Sequence, residues 1–212
     1  MCGRFLVSGE ELKEILEAAE ASADACMGQL SFTFRGGEVF PSDTVPVITA
    51  NGVRFMTWGF PSILENQRAH INARSETAAT SKTFGEAMAA RRCIVPASAY
   101  FEWKQTGKKH KDKYEFTLPG RTPLYMAGIY TADGQFAILT REAASSMTDI
   151  HGRMPVILPK SLIGLWINQS SEVMSQAVTE LQFSPVPASD MQPDKIKARQ
   201  LKLDFGEDGE PD

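Results

Sequence analysis

The sequence lacks any run of eighteen apolar residues, the length that a transmembrane helix needs. It also lacks the apolar core of a secretory signal, because only three apolar residues, 5–7, separate Arg4 from Ser8 and a charged stretch. We therefore expect a cytoplasmic protein without a membrane partner. The composition, with 42% hydrophobic residues, is that of a globular protein with a core of its own.

Cysteine and histidine are scarce. The three cysteines are an odd number without the spacing of metal ligands, and the three histidines occur singly. We therefore expect free thiols in a reducing compartment, with no metal site and no cofactor. The residues concerned are Cys2, Cys26, Cys93, His70, His110 and His151.

Neither sign of charge dominates the chain, whose formal net charge is −4. The last nine residues, 204–212, carry five acids and no base, which leaves residues 1–203 at +1. Between residues 91 and 113, seven Lys or Arg side chains stand against Glu102 and Asp112. This basic stretch fits either a solvated hairpin tip, which charge alone favours, or a surface for nucleic acid.

Helical patterns are few. A capping box that begins at Ser8 precedes apolar residues at helical spacing and predicts a helix over about residues 9–20. A similar pattern at Thr83 predicts a helix that ends near Arg91. Irregular structure is expected over residues 22–38, and helical turns are expected around residues 145–150 and 160–180.

A β-rich body occupies most of the chain, with short apolar segments bounded by turn residues. Asn51-Gly52 and Asp133-Gly134 suit the tight turns of hairpins, because these residues tolerate positive φ. Strands are predicted at residues 45–49, 53–58, 93–95, 99–104, 114–118, 124–130, 135–140, 154–158 and 182–186.

The order of these elements predicts the fold class. Because the strands arrive in hairpins and do not alternate with helices, we expect an α+β fold, not a doubly wound parallel one. Its core is predicted to be a mostly antiparallel, partly closed, β-barrel-like sheet with flanking helices. A single domain is expected over residues 1–205, followed by an acidic, disordered tail at 206–212.

Cys2 follows an initiator methionine that is usually removed before so small a residue. Removal leaves an α-amine with a reference pKa of about 7.7–8.0 beside a thiol of about 8.5, so both are partly nucleophilic near neutrality. This aminothiol condenses with an aldehyde to an imine and then a five-membered thiazolidine; alternatively, the thiolate attacks an acyl carbon. Taken alone, the position of Cys2 favours a third interpretation, in which the side chain only packs as a small hydrophobic group.

Three polar residues are candidates for proton transfer or substrate orientation. Glu102 lies among aromatic residues in a predicted strand, where it is either buried with a raised pKa or turned outward by strand alternation. His151 stands at a helix-to-strand junction and is either a catalyst or a structural residue. Asn72 either presents its amide to a substrate oxygen or caps a turn.

Arginines and a tryptophan are candidates for binding. Arg4, Arg74 and Arg153 each suit a phosphate or a carboxylate. Trp58 belongs to a Trp-Gly-Phe-Pro segment at the end of a predicted strand, and it either stacks on an unpaired base or closes the core. Taken singly, none of these residues is specific for a function.

Five segments in a fixed order carry a resemblance that extends over nearly the whole chain. They read MCGRF at residues 1–5, MTWGF at 56–60, INARSET at 71–77, RRCIVPA with FEWK at 91–97 and 101–104, and HGRMPVIL at 151–158. In these segments the chain resembles the SRAP family (SOS response-associated peptidase), whose bacterial and eukaryotic members process abasic sites in DNA.

Two segments depart from the usual pattern of that family. Residues 37–42 read GEVFPS where many members have Tyr-Asn-Ile-Ala-Pro-Thr, and Tyr100-Phe101 stands where Phe-Tyr is common. Pro41 keeps the register of the first segment, and Glu102 keeps its place after the second. We therefore still expect the SRAP fold, with the loop at Pro41 in contact with DNA.

The resemblance implies a role for each candidate residue. Cys2 would be the nucleophile, and Asn72 would orient the abasic sugar. Glu102 would handle proton transfers and the amine, while His151 would assist opening of the sugar. The residues implied to contact DNA are Arg4, Arg74 and Arg153 at backbone phosphates, Trp58 as a wall of the DNA groove, and Pro41.

The resemblance also implies a function in the response to DNA damage. A nucleoid-associated monomer would bind single-stranded DNA and capture abasic sites as a covalent thiazolidine adduct, with self-processing peptidase and AP-lyase activity. Two alternatives stay open. The first is a cysteine protease that acts on other proteins through Cys2, and the second is a non-catalytic module for single-stranded DNA in which Cys2 is incidental.

Overall fold

The computed structural model describes residues 2–8, 36–63, 67–107 and 111–187. None of the helices in these ranges is long and apolar enough to cross a membrane. The strands are β1 (Arg4–Val7), β2 (Gly37–Val39), β3 (Thr44–Thr49), β4 (Gly52–Trp58), β5 (Asn72–Arg74), β6 (Arg92–Ala97), β7 (Ala99–Lys104), β8 (Asp112–Thr117), β9 (Leu124–Tyr130), β10 (Gln135–Glu142), β11 (Arg153–Pro155) and β12 (Gln182–Pro185). The α-helices are Gly85–Ala90 and Ile163–Ile167, and 3-10 turns occupy Ala78–Thr80, Pro119–Arg121, Ser145–Met147, Lys160–Leu162 and Glu172–Gln176.

Five strands of the first sheet close into a ring. They are hydrogen-bonded in the order β10, β4, β3, β6 and β9, and β9 pairs back with β10. Strands β5 and β11 also pair with β10. Most pairs are antiparallel, although β4 and β5 run parallel to β10. The predicted α+β fold with a mostly antiparallel, partly closed sheet is therefore confirmed.

Two hairpins that glycine-containing turns predict are present in this ring. Gly52 and Gly134 have φ angles of 92° and 82°, a region in which a side chain would strain the backbone. The turns join β3 to β4 and β9 to β10. The hydroxyl of Thr49 fixes the first turn further by donating to the Gly52 carbonyl at 2.8 Å.

The second sheet positions the amino-terminal segment. Its strand order is β12-β8-β7-β1-β2, so β1 is hydrogen-bonded on both sides. Phe5 lies opposite Tyr100, and both side chains are buried in the core. Arg4 and Phe101 form the next pair and project from the opposite face, because neighbouring residues of a strand alternate. Cys2 therefore precedes a strand whose position is set by two partners.

Three short strands depart from the sequence-based expectations. Strands β1, β2 and β5 have only three or four residues each and take their hydrogen bonds from neighbours distant in sequence. Short segments carry little local signal for such pairing, because strand formation depends on its partners. The irregular structure expected over residues 22–38 is therefore wrong for residues 37 and 38, which belong to β2.

The remaining differences concern element ends. The helix after Thr83 begins at Gly85 and has no side-chain capping bond. The strand expected at residues 154–158 is reduced to β11, followed by an isolated bridge between Met126 and Ile157. The helix predicted over about residues 9–20, most of the irregular segment and the tail at 206–212 lie outside the described residues. The single domain over residues 1–205 stays a prediction.

Candidate active site

Cys2 lies in the core just before β1. Its thiol donates to the carbonyl oxygen of Arg4, with an S···O distance of 3.5 Å. Burial raises the pKa of this thiol well above its usual range, and the negative charge of Glu102 raises it further. The sulfur is therefore in the protonated form in this structure.

Asn72 holds the main chain of Cys2 in place. It begins β5, which pairs with β10 so that Asn72 lies beside Ile138. Its amide Nδ2 donates to the carbonyl oxygen of Cys2 at 2.8 Å. Its Oδ1 is buried and accepts no hydrogen bond from the described residues. Asn72 therefore presents an available acceptor beside residue 2, as a substrate-orienting amide would.

Glu102 is an interior carboxyl group. It lies on β7 and is only 3% exposed, on the same face of the strand as Tyr100. Burial raises its pKa to about 7. Of the two readings of this position, the buried acid is thus confirmed and the outward-facing one is excluded. Near neutral pH, such a group both donates and accepts protons readily.

His151 reaches the same place from the turn before β11. Its Nδ1 lies 3.9 Å from Oε1 of Glu102. This Nδ1 also contacts the main chain of Arg153, at 3.0 Å from its nitrogen and 3.2 Å from its carbonyl oxygen. Burial is the main cause that lowers the pKa of His151, which keeps the imidazole neutral around pH 7.

Tyr100 belongs to this site although the sequence patterns do not single it out. Its ring stacks on Phe116 at a centroid distance of 4.8 Å, and its hydroxyl donates to the sulfur of Met147 at 3.8 Å. Burial raises its pKa well above the usual value, and Cys2 and Glu102 add to the rise. The sequence signal that could have identified Tyr100 is the alternation of side chains along a strand, which puts residues 100 and 102 on one face.

Four distant segments thus bring together a thiol, an amide, a carboxyl group and an imidazole. Asn72 and Glu102 lie beside residue 2, and His151 lies beside Glu102. The pKa of Glu102 is about 7 and that of His151 is lowered, so this arrangement is suited to acid–base chemistry at a nucleophile. In the described ranges, no group of three or more potential ligands is arranged to hold a metal ion.

The three arginines differ in what they contact. Arg4 lies over the ring of Phe40, with its guanidinium carbon 3.6 Å from the ring centre. Arg74 is exposed at the end of β5. Arg153 makes two bonds of 2.8 Å to Glu76, which lower the pKa of that carboxyl group, and a third to the Thr140 carbonyl. The guanidinium of Arg153 is therefore engaged within the protein.

Trp58 lies in the core and not on a surface. It is 0% exposed, its Nε1 donates to the Ile71 carbonyl at 2.8 Å, and its ring packs against Phe5 and Phe136. The expectation that Trp58 forms a wall of a DNA groove is therefore wrong, because a fully enclosed ring has no face left on which a base could stack. Pro41, by contrast, is exposed in the turn between β2 and β3.

These contacts predict different consequences for two arginine substitutions. Arg153→Ala is expected to lower the free energy of unfolding by about 1–3 kcal/mol, because three charge-assisted hydrogen bonds are lost. Arg74→Ala is expected to change it by no more than about 0.5 kcal/mol, since this side chain is exposed. Chemical denaturation of both variants tests this. Equal destabilisation by the two would contradict the structural assignment of Arg153.

The fold and the site define a class of protein in which a ring-like sheet is combined with a second sheet that holds a cysteine at position 2 beside a buried carboxyl group. A family model described as SOS response associated peptidase (SRAP) matches residues 1–200. The chain belongs to the SRAP family. The resemblance read from five sequence segments is thereby confirmed.

Individual relatives agree with this assignment. The abasic site processing protein YobE of Bacillus subtilis (strain 168) is 29% identical over 184 residues, covering 79% of this chain and 82% of the relative. The abasic site processing protein YedK of Escherichia coli (strain K12) is 33% identical over 141 residues, or 62% of each chain. A crystal structure of a Bacteroides thetaiotaomicron protein is similar with a TM-score of 0.73 at 23% identity, covering 89% of this chain and 93% of that one. This last similarity concerns the fold alone.

Proposed function

We propose that this protein captures abasic sites in single-stranded DNA by joining residue 2 covalently to the ring-opened sugar. The names of the relatives, abasic site processing proteins, point to this substrate. The observation that carries the proposal is the bond from Asn72 to the carbonyl of Cys2, which orients the nucleophile beside Glu102. An unpaired sugar reaches such a site without the cost of flipping a base out of a duplex.

The first step of the proposed reaction opens the sugar. An abasic deoxyribose is mostly a closed hemiacetal, so one group must take the proton of the anomeric hydroxyl while another protonates the ring oxygen. Glu102 and His151 share this work, because their pKa values lie near and below neutrality respectively. The product is an open-chain aldehyde within reach of residue 2.

The next steps form the adduct. Once Met1 has been removed, the neutral amine of Cys2 adds to the aldehyde carbon and one water molecule leaves, which gives an imine. The Cys2 sulfur then bonds to the same carbon while its proton passes to the imine nitrogen. The five-membered thiazolidine and one water are the only products, so no oxidant, reductant or cofactor is consumed.

Two further activities belong to the proposal. Removal of Met1 by the protein itself would release the α-amine on which the reaction depends. Strand cleavage at the abasic site would follow from the imine, which acidifies the neighbouring sugar carbon. A base takes the proton from that carbon, and the 3′ phosphate leaves.

The experiment that tests the proposal uses an oligonucleotide with one abasic site and a denaturing gel. The purified protein is expected to form a band of the combined mass, whereas an undamaged oligonucleotide of the same length gives none. A version in which additional residues before Met1 prevent its removal is expected to give no band, because residue 2 then has only an amide nitrogen. Normal crosslinking by the blocked version would exclude the α-amine.

A further inference from the structure

An ion-pair cluster lies on the face of the second sheet that turns away from the core. Lys113 donates to Oε2 of Glu38 at 2.8 Å, and Nε of Arg4 lies 3.7 Å from Oε1 of the same carboxylate. Both cations also face aromatic rings, since Arg4 covers Phe40 and the Lys113 nitrogen lies 3.9 Å from the ring centre of Phe101. The Glu38 carboxylate therefore forms ion pairs with both Arg4 and Lys113.

The three charged side chains differ in how far solvent reaches them. Arg4 is 29% exposed, Glu38 is 13% exposed and Lys113 is 7% exposed. Lys113 therefore anchors Glu38 from the interior, while Arg4 is the cation that an external anion can approach. Because the longer distance separates Arg4 from Glu38, this pair is the weaker of the two.

The position of Arg4 relates this cluster to the candidate active site. The carbonyl of Arg4 accepts the hydrogen bond from the Cys2 thiol, and Arg4 pairs with Phe101, the neighbour of Glu102. The backbone of Arg4 therefore adjoins the candidate active site, while its guanidinium projects from the opposite face of the sheet to Glu102. Asp43 also contributes negative charge near Arg4, but its carboxylate accepts the Phe40 N–H at 2.8 Å.

We propose that Glu38 competes with the DNA backbone for Arg4 and thereby limits the affinity for single-stranded DNA before any covalent step. The inference rests on the proposed function, because binding of single-stranded DNA needs cations that can accept a backbone phosphate, and Arg4 is the more exposed cation of this cluster. The Glu38 carboxylate must be displaced from Arg4 by an incoming phosphate or repels it, whereas a neutral amide at this position would leave Arg4 unopposed.

The test measures binding of an undamaged single-stranded oligonucleotide by fluorescence anisotropy over a range of salt concentrations. Glu38→Gln is expected to bind about three- to tenfold more tightly at low salt. The slope of log affinity against log salt becomes steeper by about 0.7, the value for one more phosphate neutralised on a single strand. Glu38→Gln combined with Arg4→Ala is expected to match Arg4→Ala alone, because the gain acts through Arg4.

A double variant separates local competition from overall charge. Glu38→Gln with Lys113→Met has the net charge of the wild type and leaves no buried lysine without its carboxylate. It is expected to bind more tightly than the wild type and less tightly than Glu38→Gln. This variant also keeps the inference testable if Glu38→Gln alone does not fold. Wild-type affinity of the double variant would overturn the inference.

Glu115→Gln is the matched control. Glu115 projects from the same face of β8 as Lys113 and pairs with Arg121 at 3.1 Å, so the change in charge is the same. We expect it to leave the affinity and the salt slope close to wild type. If Glu115→Gln gains as much DNA affinity as Glu38→Gln does, local competition for Arg4 is ruled out. It is also ruled out if Glu38→Gln loses thermal stability but keeps the affinity and salt slope of the wild type.

Adduct formation with the abasic oligonucleotide, measured on the same preparations, distinguishes the two proposals. Glu38→Gln is expected to react faster than the wild type at limiting DNA and at the same rate at saturating DNA. A wild type that forms no adduct refutes the proposed function. A wild type that forms the adduct, together with a Glu38→Gln variant of unchanged affinity, refutes only the role of Glu38.

Discussion

Cys2→Ala is expected to abolish the adduct that survives denaturation, while binding of undamaged single-stranded DNA persists. After removal of Met1, alanine still offers an α-amine, so the reaction with the aldehyde proceeds to an imine. Without sulfur the ring does not close, and the imine hydrolyses when the protein is denatured. The measurement is the yield of the crosslinked band on a denaturing gel, which is expected to fall below detection.

Cys93→Ala is the matched control for this substitution. Cys93 is also a buried free thiol, but it lies on β6, where it pairs with Gly128 of β9. The Cys93→Ala variant is expected to form the crosslink in the same yield as the wild type. Borohydride added during the reaction reduces an imine to a stable amine and is expected to restore a band to Cys2→Ala. A band from Cys2→Ala without reductant would disprove thiazolidine formation.

Glu102→Gln is expected to slow adduct formation by about 100- to 10,000-fold, the usual contribution of a general acid or base. The amide has nearly the shape of the carboxylic acid but neither gives nor takes a proton near neutrality. Sugar opening and deprotonation of the amine therefore lose their catalyst. Single-turnover rates at saturating DNA measure the loss, and a rate within threefold of wild type would remove Glu102 from the mechanism.

The pH dependence follows from the raised pKa of Glu102. Because ionised Glu102 takes the proton of the Cys2 amine, the wild-type rate is expected to rise from pH 6 to pH 8 with a midpoint near its pKa of about 7. In Glu102→Gln the residual rate is expected to follow the amine alone, with a midpoint of about 7.7–8.0. An unchanged midpoint would contradict this role for Glu102.

The same pKa has a consequence for stability. Glu102 titrates near 4.3 when unfolded and at about 7 when folded, so the folded state binds its proton more tightly. The resulting stabilisation is complete below about pH 4 and is lost as pH rises through 7. Glu102→Gln is therefore expected to gain stability over the wild type at pH 8, by up to a few kcal/mol. Glu115→Gln, at the partly exposed ion pair with Arg121, is the control in thermal unfolding at pH 5 and pH 8.

Hairpins were predictable because their determinants are local. The Asn51-Gly52 and Asp133-Gly134 pairs require positive φ at one residue, and the flanking strands follow within a few residues. The parallel pairing of β5 with β10 was not predictable, since it joins segments more than sixty residues apart. That pairing is nonetheless what brings Asn72 to the carbonyl of Cys2.

The candidate site also combines features that the sequence could predict with features that only the folded chain shows. Cys2, Asn72, Glu102 and His151 were recognisable as residue types in matching motifs, and the structure brings all four together, while their catalytic roles stay predictions. Arg153 and Trp58 had equally suggestive motifs, yet one is bound to Glu76 and the other is enclosed in the core. A motif specifies residue types and their spacing, but it does not separate residues that bind a ligand from residues that pack in the core.

By itself the sequence determined the family, the hairpin-rich α+β fold and the residues able to carry the chemistry, because these depend on residue type and short-range order. Only the tertiary structure decided that Glu102 is buried beside Cys2, that Tyr100 lies next to both and that Glu38 stands between Arg4 and Lys113. Burial and distance arise from contacts between remote segments. Since they set pKa values and ion pairing, the properties that govern reactivity became visible only in the folded chain.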